Sequence, residues 1–114
     1  MISRPHRASP SIVGVALLWA GAICMPSVAQ TPDPNQIAIQ EFMFTPNPLT
    51  VKAGATVTWV NMDDEPHTVV SNTAMYRSGA LDTKESFSFK FVQPGTYHFT
   101  CSMHPRMTGI IVVQ

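Results

Sequence analysis

The sequence predicts an all-β, single-domain chain folded as a two-sheet sandwich of Greek-key type. Three observations lead there. Apolar residues alternate with polar ones at a period of two in several short runs, the pattern of half-buried strands. Pro, Gly and Asn turn signals separate these runs, with no stretch of helical periodicity between them. The length of 114 residues suits one domain and not two. Short strands joined by irregular loops, without intervening helices, favour an antiparallel sandwich.

Residues 1–29 read as a signal peptide rather than as part of that domain. Arg4 and Arg7 give a positive start, Ile12 to Met25 form an apolar run, and Ser27-Val28-Ala29 offers small residues for cleavage. The run is shorter than the roughly 20 residues a spanning helix needs. Export to the periplasm, with no stable membrane insertion after cleavage, is therefore expected. Retention of the segment as an anchor, or lipid attachment at Cys24, are the alternatives. Ile23 is bulkier than a lipidation site usually accepts. Cleavage would leave 114 − 29 = 85 residues, a small domain that a bound metal would stabilise by mass action.

Residues 30–36, QTPDPNQ, read as a flexible leader, and the domain as residues 37–114. Ile37 and Ile39 alternate with Ala38 and Gln40 in a first strand that runs on to Phe42. Phe42-Met43-Phe44 then meets Thr45-Pro46-Asn47-Pro48, where two prolines enforce a bend. Leu49-Thr50-Val51 resumes, Lys52-Ala53-Gly54 turns, and ATVTWVN (55–61) places Val57 and Trp59 on one face. The acids of NMDDEP (61–66) read as a solvated loop, and HTVVS (67–71) as a β-branched strand. Residues 72–83 are irregular, with any short helix confined there. ESFSFKF (85–91) alternates strictly, Gln93-Pro94-Gly95 turns, TYHFTC (96–101) alternates again, and Gly109 to Val113 closes the chain.

Charge excludes one class of partner. Residues 30–114 hold five Lys/Arg and seven Asp/Glu, a slight acidic excess of two, so no basic stripe exists to hold a nucleic acid.

The chemistry concentrates in CSMHPRM (101–107). Once Cys24 has left with the signal, Cys101 is the sole cysteine in a compartment that favours disulfides. An unpaired thiol there calls for a reason, and metal ligation supplies one. Cys101, His104 and Met107 recur at three-residue steps in a loop short enough to bring their donors to one point. Three loop residues leave one side open. His98 faces opposite Tyr97, Phe99 and Cys101 on a pleated strand, so it points away. His67, at a strand start after Pro66, is the better fourth ligand. Zinc takes closed Cys/His sets and has little use for Met; iron–sulfur clusters need more thiolates. Two imidazoles, one thiolate and a weak thioether suit copper in both oxidation states. The cofactor expected is thus one copper ion held by His67, Cys101, His104 and Met107. Pro105, which lacks an N–H, would stiffen the loop beside the sulfur.

With NMDDEPH, PGTYHFTC and CSMHPRM followed by GIIVV, residues 37–113 resemble the small blue copper proteins, the cupredoxins, and most closely their amicyanin and plastocyanin branch. Cys-x-x-His-x-x-Met is similar to the short ligand loop of amicyanins. The resemblance implies a two-sheet sandwich with copper near one end. It also implies that Asn61, if it does not merely cap a turn, ties the two ligand loops together. It implies a periplasmic type 1 copper protein that shuttles single electrons between a redox donor and acceptor, for example a dehydrogenase or a c-type cytochrome, with no catalysis of its own, as a monomer. Copper storage or delivery is the alternative function. An oxidase or nitrite reductase fragment would need further His clusters. Met103 stands where relatives commonly have proline and Arg106 where amicyanins carry an apolar residue, so methylamine dehydrogenase is not carried over as the partner.

Overall fold

The computed structural model describes residues 2–3, 5–23 and 33–114. Arg4, Cys24, the proposed cleavage signal at 27–29 and residues 30–32 of the expected leader lie outside the described residues. Residues 5–23 hold no helix or strand, and their apolar side chains face solvent, Leu18 at 93% and Trp19 at 88% exposure. Among the described residues no helix is long and apolar enough to cross a membrane.

Eight strands follow: β1 (Gln36–Gln40), β2 (Met43–Thr45), β3 (Leu49–Val51), β4 (Thr56–Asn61), β5 (Val70–Ser71), β6 (Ser86–Lys90), β7 (Gly95–Thr100) and β8 (Thr108–Val113). They form two four-stranded sheets, ordered β2-β1-β4-β6 and β3-β8-β7-β5. The all-β two-sheet sandwich is as expected, but the sheets are mixed. β1 pairs with β4 in parallel, and β3 pairs with β8 in parallel. Alternation fixes which side chains face inward and not which strand lies alongside. At Pro46 and Pro48 the chain leaves the first sheet and lays β3 beside the last strand of the second; it returns as β4.

Two further boundaries differ from the sequence reading. The leader meets the sandwich from Asp33: its side chain caps Asn35 N at 2.9 Å, Asn35 O accepts from Thr58 N at 3.0 Å, and Gln36 already belongs to β1. The first strand also stops earlier. Glu41 and Phe42 form a two-residue hairpin turn with φ of 55° and 59°, and β2 returns alongside with Gln40 opposite Met43. Positive φ at both central residues is what such a turn requires to match strand twist. Residues 67–71 give only a bridge at His67 and the two-residue β5, and residues 72–83 contain no helix.

The inward faces meet around Trp59, which is fully buried with Ile37, Ile39, Val57 and Ile111. Its ring lies 5.4 Å from that of Phe99 at 82°, the edge-to-face arrangement favoured by opposed quadrupoles. Trp59 Nε1 and the Tyr76 hydroxyl, in rings 5.5 Å apart, are buried with no hydrogen-bond partner, and burial pushes the Tyr76 phenol well above its usual range. The second sheet determines where the site sits. β7 is flanked by β8 and β5, with Val70 opposite Thr100. Continuing both chains two residues past that pair brings Thr68 beside Ser102, so β7 delivers Cys101 to the segment that carries His67.

Phe99 crosses the pair to cover Gly109, leaving no room there for a β-carbon. Gly109→Ala should lower stability by about 1–3 kcal/mol, the usual cost of overpacking, seen as a lower denaturation midpoint with an unchanged denaturant slope.

Candidate metal centre

Three of the four expected ligands converge. The donor atoms of His67, Cys101 and His104 all lie within 4.8 Å of one another. Cys101 Sγ is 3.9 Å from His67 Nδ1 and 3.6 Å from His104 Nδ1, so both imidazoles present the same ring nitrogen to the sulfur. His67 and Cys101 are fully buried, whereas His104 is half-buried. Met107 is buried at 5% exposure at the foot of the same loop. His98 is exposed on the outer face of β7, away from the cluster, and Met103 is exposed as well.

Backbone bonds shape the loop. His104 N donates to Cys101 O at 3.3 Å, Met107 N to His104 O at 2.8 Å, and Cys101 N to Met107 O at 3.0 Å. Two consecutive turns thus fold the loop onto itself. Pro105 follows the first residue of the second turn, where its fixed φ suits the geometry and its missing N–H costs nothing.

The expected tie between the ligand loops exists, but Asn61 does not make it. Asn61 Nδ2 donates to Glu65 O and Leu81 O, each at 2.8 Å, and its Oδ1 accepts from Asp63 N at 2.9 Å. Those bonds bind the first ligand loop to the segment around Leu81, whose backbone pairs with His67 through bonds of 3.1 and 2.7 Å. Thr68 is the tie. Its amide donates to Cys101 Sγ at 3.4 Å, and its hydroxyl accepts from Ser102 N at 2.8 Å. The same hydroxyl lies 2.7 Å from Ser102 Oγ and 3.7 Å from Cys101 Sγ. If the Ser102 hydroxyl donates to Thr68, every bond is satisfied when the Thr68 hydrogen points at the sulfur.

Asp63 is the other residue the sequence reading missed. Asp64 and Glu65 are exposed, as expected of a solvated run, but the Asp63 side chain is only 12% exposed. Its Oδ2 lies 2.8 Å from His67 Nε2 and accepts from Phe42 N at 3.0 Å; Oδ1 accepts from Glu41 N at 2.7 Å. Left-handed backbone costs non-glycine residues about 1–2 kcal/mol each, and these two charge-assisted bonds offset that cost at the hairpin tip. The turn in turn sets the Phe42 ring nearly perpendicular to those of His67 and His104, with centroids 5.2 and 5.0 Å away. Burial acts to raise the Asp63 pKa, yet the amides of Phe42 and Glu41, together with His67, bring it below the usual carboxylate value.

The donor chemistry fits copper. Asp63 occupies His67 Nε2 and so leaves Nδ1 free, aimed at a thiolate. The sulfur is also ready to bind: burial opposes ionisation, but the Thr68 amide, His67, His104 and the Thr68 hydroxyl outweigh it and lower the thiol pKa from 9.0 to about 6.

The comparisons decide the family. A cupredoxin-like domain profile matches residues 13–113. This chain belongs to the cupredoxin family. It is 33% identical over 110 residues to amicyanin-alpha of Methylorubrum extorquens, covering 87% of each chain. It is 40% identical over 85 residues to plastocyanin of Scenedesmus fuscus, covering 63% of this chain and 87% of that one. A purple cupredoxin from Nitrosopumilus maritimus superposes with a TM-score of 0.66 at 30% identity, over 69% of this chain and 98% of that one. As a cupredoxin of the amicyanin and plastocyanin branch, it takes one type 1 copper ion as its cofactor.

In the metal-free cupredoxin, the ultraviolet absorbance of the Cys101 thiolate should titrate at about pH 6. A folded pKa below the unfolded one stabilises the fold at high pH, and that gain is lost as the pH falls through the folded value. Metal-free stability should therefore decline as the solution is acidified from about pH 9, the ordinary thiol value, and level off below about pH 6. Thr68→Val should move the thiolate titration upward, because it removes the hydroxyl bond to sulfur.

Proposed function

We propose that this cupredoxin is an exported carrier of single electrons. In this reading residues 1–29 are a cleaved signal peptide, and the folded domain works in the periplasm as a monomer between a donor and an acceptor redox protein. His67, Cys101 and His104 would hold the metal, with Met107 as a weak fourth ligand, and Asn61 and Pro105 would shape the loops that carry them. Bound copper supplies a one-electron couple. The chain's own part is to keep the donors still and give electrons a way out.

The observation that carries the reading is the contrast in exposure among closely grouped donors. Donor atoms within 4.8 Å of one another belong to two sealed residues and to His104, which reaches the surface. Electron transfer over a gap needs ligands that barely move between oxidation states. Thr68 fastens Cys101, Asp63 fastens His67, and Phe42 abuts both imidazoles. A site meant to release its ion would gain nothing from such bracing.

His104 opens into a shallow cleft lined by Phe42, Met103, Pro105, Arg106 and Met107. An apolar rim permits close, transient docking without a large desolvation cost. Arg106 adds one positive charge beside it, which disfavours a basic partner face and favours an acidic one.

Adding Cu(II) to the purified metal-free protein should give one bound ion, an intense visible thiolate-to-copper band and a reversible one-electron wave. Cys101→Ser should remove the band while leaving the fold intact. Copper uptake and colour unchanged by Cys101→Ser or His67→Ala would overturn the proposal, and a colourless protein binding Cu(I) alone would point to copper storage or delivery.

A further inference from the structure

The loop after β4 presents three acids in a row, but only one of them is built into the molecule. Asp63 is held at four points: its amide by Asn61 Oδ1 at 2.9 Å, its carbonyl by Thr83 Oγ1 at 2.7 Å, and its two carboxylate oxygens by three further donors. Those three donors come from two parts of the chain. Glu41 N and Phe42 N belong to the β1–β2 turn, and Nε2 belongs to the His67 ring.

We propose that Asp63 is the positioning residue of the metal site: one carboxylate orients His67 through Nε2 and, through the Glu41 and Phe42 amides, seats the Phe42 ring against both imidazoles. The inference rests on the reading of His67 and His104 as ligands and adds to it a residue that touches no metal. Its physical content has two parts. A carboxylate accepting from Nε2 makes the imidazole a stronger donor through Nδ1 and places a negative charge one ring away, both of which favour the more positive metal state. The two amide bonds hold a left-handed turn closed, and that turn is what carries Phe42.

The three donors also explain why the residue must be an acid. An amide side chain has one acceptor oxygen and an NH₂ group. An asparagine oxygen facing Phe42 N and His67 would leave its NH₂ opposed to the Glu41 N–H; flipped, it would oppose the other two donors. Only a carboxylate accepts from all three. Asp64, adjacent and exposed, carries the same charge without any of these bonds and serves as the natural control.

The test compares copper-loaded wild type, Asp63→Asn and Asp64→Asn by voltammetry and visible spectroscopy. Asp63→Asn should keep one copper and its colour but lose about tenfold in Cu(II) affinity relative to Cu(I), at the lower end of the usual effect of such partners. That converts to a reduction potential about 59 mV higher for a one-electron couple. The charge-transfer band should shift as the Phe42 cover loosens, and Asp64→Asn should leave potential and band in place. Equal shifts from both variants would mean that charge alone acts and would overturn the inference, as would an unchanged potential in Asp63→Asn. Proton NMR of the reduced wild type reads the bond without any substitution: a low-field, slowly exchanging His67 Nε2–H supports it, and a freely exchanging one overturns it. A wild type that binds no copper would instead fail the ligand reading itself, which separates the two claims.

Discussion

The site depends on the attachment of two loops to each other through Thr68. Cys101 and His104 lie on the β7–β8 connection, and His67 lies on the connection into β5, 34 residues earlier than Cys101. Neither loop alone can gather the donors. The β5–β7 pairing brings them level, and the Thr68 bonds to Cys101 and Ser102 close the remaining gap. Because β7 lies between β5 and β8, its end can move only if two ladders move with it. Rigidity at the sulfur is thus a property of the second sheet, passed on by one threonine.

The first sheet contributes differently. Its β1–β2 turn extends Phe42 over the two imidazoles, and Asp63, just beyond β4, holds that turn. The site is therefore a joint between the sheets: the second supplies the sulfur, and the first supplies the aromatic cover and its carboxylate anchor. Asn61, fully buried, links this joint to the strap around Leu81. Among the three clustered donors, only the half-buried His104 imidazole reaches the surface.

Much of this was legible in the sequence, and what was not has a common cause. Alternation in 55–61 and 96–101 marked β4 and β7 because burial of every second residue leaves a local signature. The cluster from Cys101 to Met107 was visible because its residues are scarce and closely spaced. The parallel pairings of β1 with β4 and β3 with β8 leave no such trace, since partner choice is a long-range property. Glu41-Phe42 carries none of the Gly or Asn that announces a tight hairpin, so it reads as strand. Asp63 looks like its two acidic neighbours until the turn amides and His67 are seen around it. The partners of Asn61, Glu65 O and Leu81 O, lie in two separate irregular segments that leave no pattern in the sequence.

The pairing of the last strand has a consequence for biosynthesis. β8 runs alongside both β3 and β7, so the second sheet has no centre until the C-terminal residues are available. A chain still emerging from a ribosome can assemble the first sheet from β1, β2, β4 and β6 while its ligand loop dangles unsupported. Bracing of the ligand loop must then wait for residues 108–113, and a copy cut short before Thr108 keeps its cysteine but lacks the strand that holds one side of β7.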